Sequence, residues 1–294
     1  MPSHFAIRAG RAPCLCLTLL LATALACAPR ERAATKAGLL PGNASALDYL
    51  DLLGLSDRIR ALPRTVDGYS DFLARHPESS SLPRWSDFKA ETILALRPTL
   101  VISDATQAPE TRDYLERVGV PVVLLEPFRD LASGIANLER IAKVLDLDAG
   151  PVIRRLQARE KQLQEEQAPG VNGPRILPWV YYGESHWTAG RGTGAAYAID
   201  LAGGRDVAVQ LGITGHQEIS IETILDADPD VMLISDAAME ARLRHHPRLE
   251  QLRCIQASRI VRLSPSLASC NSPYLIEAAV ELRRQLRAMG FLAR

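Results

Sequence analysis

Cysteine, histidine and aromatic residues are scarce in this chain of 294 residues, which carries five cysteines, six histidines and 5% Phe, Trp and Tyr. No C-x-x-C occurs, which argues against a zinc ribbon or a thioredoxin-like redox centre. H-E-x-x-H is also absent. His76, His186 and His216 are scattered and His245-His246 sits just before Pro247, so no metal ligand is assigned. An excess of one charge is missing too, because 34 basic side chains balance 34 acidic ones and leave no footprint for nucleic acid. Gly190-Arg191-Gly192-Thr193-Gly194 lacks the Gly-Lys-Ser/Thr ending of a phosphate loop. Its amides before a helix suit either an anionic ligand group or a plain tight turn.

What is present is an ordinary globular composition, 47% hydrophobic and 23% charged, long enough for about two domains with their own cores. The N-terminus stands apart. Arg8 and Arg11 precede an uncharged run, Ala12 to Pro29, with an apolar centre at Leu15 to Leu25 and the small-residue pattern Ala24-Leu25-Ala26. Residues 1–26 therefore read as a secretory signal peptide and 27–36 as a polar tether. Cleavage leaves Cys27 first, in a context similar to a bacterial lipobox, so the mature protein is either released into the periplasm or lipid-anchored at Cys27. An uncleaved anchor helix is the third outcome, for which the run is barely long enough. After export, Cys254 and Cys270 are the only cysteines in the body of the protein; they flank a strand at Arg259 to Leu263 and are either bridged or separately buried.

From Ala37 onward, β-rich runs alternate with amphipathic helical stretches. Strands are expected at Thr99–Ser103, Val120–Leu125, Arg175–Tyr182, Asp230–Ser235 and Arg259–Leu263. Helices are expected at Pro109–Val118, Asp130–Leu145, Gly194–Leu201, Ile221–Ala227 and Pro273–Met289. This rhythm predicts an α/β fold with mostly parallel sheets. Pro151 to Gln167 is rich in helix formers with a narrow apolar stripe (Val152, Ile153, Leu156, Leu163), which suits a helix lying across two lobes. The lobes are placed at 37–148 and 171–294, with the linking helix in 149–170. Glu91-Thr-Ile-Leu through Pro98 to Ser103-Asp104 repeats as Glu222-Thr-Ile-Leu through Pro229 to Ser235-Asp236, with one residue inserted after the proline. Two related lobes follow from that repeat.

Trp179, Tyr181, Tyr182 and Trp187 crowd into nine positions, and Tyr69 and Trp85 lie in loops of the first half. Together with Arg191 they are the candidate ligand-binding residues, for aromatics at strand ends facing each other across a lobe interface make a pocket for a planar or amphipathic ligand. Alternation puts Trp179 and Tyr181 on one strand face and Tyr182 on the other, so at least one belongs to the core. Gly183-Glu184-Ser185-His186-Trp187 approaches a nucleophile elbow but ends in Trp where a small residue is needed; it leaves an exported α/β serine hydrolase as an alternative. Glu91 and Glu222 begin matching helices, where a carboxylate also complements the helix dipole.

In order along the chain, Ala46-Leu-Asp-Tyr-Leu-Asp-Leu-Leu-Gly54, the ETILALRPTLVIS segment, Gly119-Val-Pro-Val-Val, Ala189-Gly-Arg-Gly-Thr193, Leu201-Ala-Gly-Gly204, Ile219-Ser-Ile-Glu222 and His246-Pro-Arg-Leu resemble the class III substrate-binding proteins of bacterial ABC importers. The resemblance spans about Ala37 to Leu286. It implies two α/β lobes joined by one long helix, little hinge motion, and capture of an iron-siderophore, haem or cobalamin between the lobes. It implies a partner, an ABC permease with its ATPase, on which Glu91 and Glu222 would dock. No catalysis, no resident cofactor and a monomeric state are expected. A chelate sensor that signals without transport is the remaining alternative. Two departures stand out: a first strand reduced to Ala37–Leu40, and Asp206 where Asn is usual.

Overall fold

A computed structural model of the chain describes residues 38–104, 109–167, 173–268 and 271–292. The expected signal peptide, the whole of the expected tether with Cys27, and Cys270 lie outside the described residues. No helix among the described residues is long and apolar enough to cross a membrane.

The first half is built on a parallel sheet. Strands β1 (Leu39–Pro41), β4 (Leu100–Asp104) and β5 (Val122–Leu125) lie in the order β1-β4-β5, with Leu39 opposite Leu100 and Val101 opposite Val122. Between β1 and β4 the chain makes a small parallel pair, β2 (Leu62–Pro63) with β3 (Arg84–Trp85). The second half holds two sheets. Strands β6 (Arg175–Pro178), β9 (Arg205–Asp206), β11 (Val231–Ile234) and β12 (Ile260–Arg262) form a parallel sheet in the order β12-β11-β6-β9. Strands β7 (Val180–Tyr182), β8 (Ser185–Ala189) and β10 (His216–Glu218) form an antiparallel sheet, β10-β8-β7.

That antiparallel sheet corrects the expectation of one strand from Arg175 to Tyr182. Pro178, which has no N–H to offer a ladder, is the last residue of β6 opposite Leu233. The chain then donates once more, from Trp179 N–H to the Leu233 carbonyl at 2.9 Å, and turns away to pair with β8.

Helix ends follow their local chemistry. Asn43 caps Ala44–Leu52 by accepting from the Ala46 N–H, and Thr193, Ser220 and Asp236 cap Gly194–Leu201, Ile221–Ala227 and Ala237–His245 in the same way. Asp130 and Ser133 form a reciprocal capping box at the start of Leu131–Leu145, and Asp146 ends that helix in the left-handed region. The sequence repeat is also a structural one. Each copy runs from a helix (Ala90–Ala95, Ile221–Ala227) through a residue of positive φ directly before a proline (Arg97 at 50°, Asp228 at 37°) into a buried parallel strand. The proline disfavours the right-handed helical region in the residue before it, which ends the helix there.

The linking helix occupies Gly150–Glu165, and of its residues Leu156 and Leu163 are buried while Val152 and Ile153 pack at the edge of the core. It lies against the helices Leu131–Leu145, Gly194–Leu201 and Leu275–Ala288. One cluster of buried side chains runs from Leu39 and Leu100 in the first half to Ile176, Ile199 and Leu282 in the second. Arg283, 3% exposed, fastens this junction: its guanidinium donates to the carbonyls of Leu163, Leu201 and Ala202 and pairs with Glu166. Those carbonyls end two helices, where a cation is favoured.

Candidate functional site

A cavity of about 260 Å³ opens where the segments Asp48–Arg75 and Ser266–Glu277 meet. Asp48, Ser70, Asp71 and Arg75 line it from the first half, and Ser266, Leu267, Tyr274 and Glu277 from the segment entering the C-terminal helix. The turn Pro265–Ala268 lies against Val66–Tyr69, which brings Tyr69, 53% exposed, to the margin of this region.

Beneath the cavity lies a polar cluster. Asp48 and Asp51 stand three apart on a helix otherwise buried through Ala46, Leu47, Tyr49, Leu50 and Leu52. Asp48 accepts from Ser70 Oγ at 3.2 Å and Ser272 Oγ at 3.0 Å, while Asp51 accepts from Arg75 Nε and Tyr274 Oη, both at 2.8 Å. His76 Nε2 lies 2.6 Å from Asp51 Oδ1. Burial raises the Asp51 carboxyl, but the hydrogen bonds from Tyr274 and His76 and the Arg75 charge outweigh it, leaving the group below its ordinary range. Burial and the Asp51 charge push the Tyr274 phenol up, so it stays a donor. None of Asp48, Asp51, Arg75, Ser272 or Tyr274 was among the expected site residues. Their signal was two carboxylates inside an apolar helix, which demand buried partners.

The other expected residues divide into two groups. Trp85 and Trp179 are core, 6% and 1% exposed, which corrects their placement as pocket residues. Trp85 packs with Leu40, Ile93 and Val101 and donates its indole N–H to the Pro41 carbonyl; Trp179 packs with Leu177, Ile234 and Leu252. The antiparallel sheet gathers the rest. Val180 pairs with Trp187, and Trp187 with Glu218, so these side chains share one face with Tyr182, which is 77% exposed, and with His216. Arg191 is exposed at the end of this sheet, held by backbone bonds to Ile213 and Gly215. Tyr181 faces the other way, under the Arg242 guanidinium at 3.9 Å and beside His186. The strand that places His216 and Glu218 on this face was not read from the sequence because β10 is only three residues long.

Ser185 and His186 are neighbours on β8 and point to opposite faces, so they form no nucleophile–base pair. His186 Nδ1 already accepts from Trp179 Nε1 at 3.2 Å. Cys254 is buried, and burial with the nearby Asp228 charge pushes its thiol up to about 12. Glu91 and Glu222 both lie in the first turn of their helices on the surface, and Glu222 is bonded to Arg248.

Comparison with known proteins agrees with this architecture. Residues 44–267 match the family model for periplasmic binding proteins, and the chain belongs to that family. A cobalamin-binding protein of Halobacterium salinarum is 26% identical over 155 residues, covering 52% of this chain and 42% of the relative. The chain spans about half the length of the curated relatives it matches. Among solved structures, the periplasmic haem-binding protein RhuT of Roseiflexus sp. RS-1 superposes with a TM-score of 0.73 at 22% identity, covering 86% of this chain and 98% of that one. The haem-binding protein BhuT, solved with two haems, has a TM-score of 0.68 at 26% identity, with the same coverage. The family is one of solute-binding proteins, not enzymes, so the hydrolase reading falls.

Proposed function

We propose that this chain captures a metal chelate outside the cytoplasm, an iron-siderophore, haem or cobalamin, and delivers it to an ABC permease driven by its ATPase. The observation that carries the proposal is a cavity walled by both halves of the chain within a periplasmic-binding-protein fold. Tyr69 at its margin and the exposed aromatic face of Tyr182 and Trp187, with Arg191 beside it, are the proposed cargo contacts. A relative named for cobalamin and fold neighbours named for haem support the cargo class. Export by residues 1–26, release or anchorage at Cys27, lobes at 37–148 and 171–294 with the linker in 149–170, and action as a monomer belong to the same proposal. So does docking through Glu91 and Glu222 on the permease.

The test is titration of residues 28–294 with haemin, cyanocobalamin and a panel of ferric siderophores, followed by tryptophan fluorescence. Trp187 is the partly exposed indole and the expected reporter. Saturable quenching by one ligand, weakened in Tyr182→Ala and Tyr69→Ala, supports capture and names the cargo. A flat response to every ligand, by fluorescence and by calorimetry, overturns it.

A further inference from the structure

Residues Asn271–Tyr274 leave the second half of the chain and fasten onto the first. Tyr274 Oη donates to Asp51 at 2.8 Å, Ser272 Oγ donates to Asp48 at 3.0 Å, and Asn271 Oδ1 accepts from the Phe128 N–H at 2.8 Å. Arg75 stacks on the Tyr274 ring with its guanidinium carbon 4.3 Å from the centroid while bonding Asp51. Pro273 sits so close to Gly134 that a Cβ built there would lie 3.0 Å from the proline ring and 2.7 Å from Phe128. The strap runs directly into the helix Leu275–Ala288, which Arg283 pins to the linking helix. One end of the strap is therefore fixed in the second half, and its contacts with the first are short, partly charged hydrogen bonds.

Three of the residues in these contacts, Asp48, Arg75 and Tyr274, also line the cavity. At about 260 Å³ the cavity falls below the roughly 300–1,000 Å³ of ordinary small-molecule sites, and a tetrapyrrole or siderophore chelate needs a site well inside that range. A cargo of that size takes more room than the cavity encloses. We infer that Asn271–Tyr274 is a latch whose bonds to Asp48, Asp51 and Phe128 hold the cavity narrow, and that cargo enters when the latch opens. The gating role rests on the proposed reading of the cavity as the cargo cleft; the latch itself does not.

Hydrogen–deuterium exchange of the protein without cargo tests the latch alone. Tyr274→Phe removes one hydroxyl and leaves Asp51 bonded to Arg75 and His76; Ser272→Ala removes another and leaves Asp48 with Ser70 and Arg75. Each variant is expected to speed exchange at the Phe128 amide and at 275–277 by about tenfold, the scale of one hydrogen bond to a charged group. Amides around Arg283 should keep their protection. Unchanged exchange at Phe128 in both variants overturns the latch. Stopped-flow mixing with haemin and with cyanocobalamin then tests the gate, for which association should quicken about threefold to tenfold in both variants. Faster exchange with unchanged association of a cargo that binds overturns gating. Faster exchange with no binding of either of these or of any ferric siderophore in the panel leaves the latch standing and sinks the cargo reading.

Discussion

Trp179 donates its indole N–H to Nδ1 of His186 across 3.2 Å, and this bond fixes the histidine's tautomer. The proton of neutral His186 must then sit on Nε2. His246, whose ring centroid is 5.6 Å away, is fixed in the same sense, for its Nδ1 accepts from the backbone N–H of Arg248 and Leu249 at 3.3 Å each. Neither ring has a free lone pair to give a metal. If haemin is the cargo, a protein ligand to its iron is therefore expected from the exposed side chains Tyr69, Tyr182 and His216. The visible spectrum of the haemin complex should survive His186→Ala and change in Tyr69→Phe, Tyr182→Phe or His216→Ala. The reverse pattern would show that cargo breaks the Trp179–His186 bond.

Asp206 caps Val207–Gln210 with Oδ1, accepting from Ala208 and Val209, while its Oδ2 is buried with no hydrogen-bond partner among the described residues. Burial, only partly offset by those two bonds, raises the carboxyl from 3.8 to about 6. The folded state thus holds this proton more tightly than the unfolded one, and stability is lost as pH rises from about 4 through 6. Asp206→Asn keeps the capping oxygen and removes the charge. Chemical denaturation at pH 7 should show it about 1–2 kcal/mol more stable than the wild type, since a shift of one unit is worth about 1.4 kcal/mol and the amide adds an unpaired donor. The gain should vanish near pH 3.5.

Arg283→Met should be among the most damaging single changes. It strips a buried cation from the carbonyls of Leu163, Leu201 and Ala202 and leaves Glu166 with Arg287 alone of its two arginines. A cost of about 3 kcal/mol in denaturant unfolding is expected, the scale of breaking a buried charged network. A loss under 1 kcal/mol would mean that water replaces the guanidinium.

The repeat, the linking helix and the alternation of strands and helices were legible because each is a local pattern. Of the apolar stripe read for the linker, Val152, Ile153, Leu156 and Leu163, the two leucines are buried and the other two are half-buried. The break at Pro178 was equally local and still escaped notice, since an apolar RILPWVYY reads as one strand until the partner of Pro178 is known. Ranking the aromatics failed for a different reason. Trp85 and Tyr69 occupy similar loops in the sequence, yet Trp85 is drawn inward by the Pro41 carbonyl, a partner 44 residues away. The Asp48–Ser272 contact joins positions 224 apart, and no periodicity carries that information.

The two matching glutamates differ in what holds them. Glu222 bonds Arg248, and that bond, aided by the helix start and the Arg248 charge, keeps its carboxyl below the ordinary range. Glu91 lies in the first turn of a helix whose cap residue, Lys89, makes no side-chain capping bond. If both dock into basic pockets of a permease, the Glu222 lobe must first release Arg248, whereas Glu91 has no ion pair to break among the described residues. Exposed ion pairs are weak, so the competition is modest. In binding assays with permease–ATPase complex in nanodiscs, Arg248→Ala should tighten binding about threefold at low salt, with the difference shrinking as salt screens both interactions. Glu222→Arg and Glu91→Arg should each weaken it at least tenfold. Arg248→Ala weakening the complex instead would mean that Arg248 itself touches the partner.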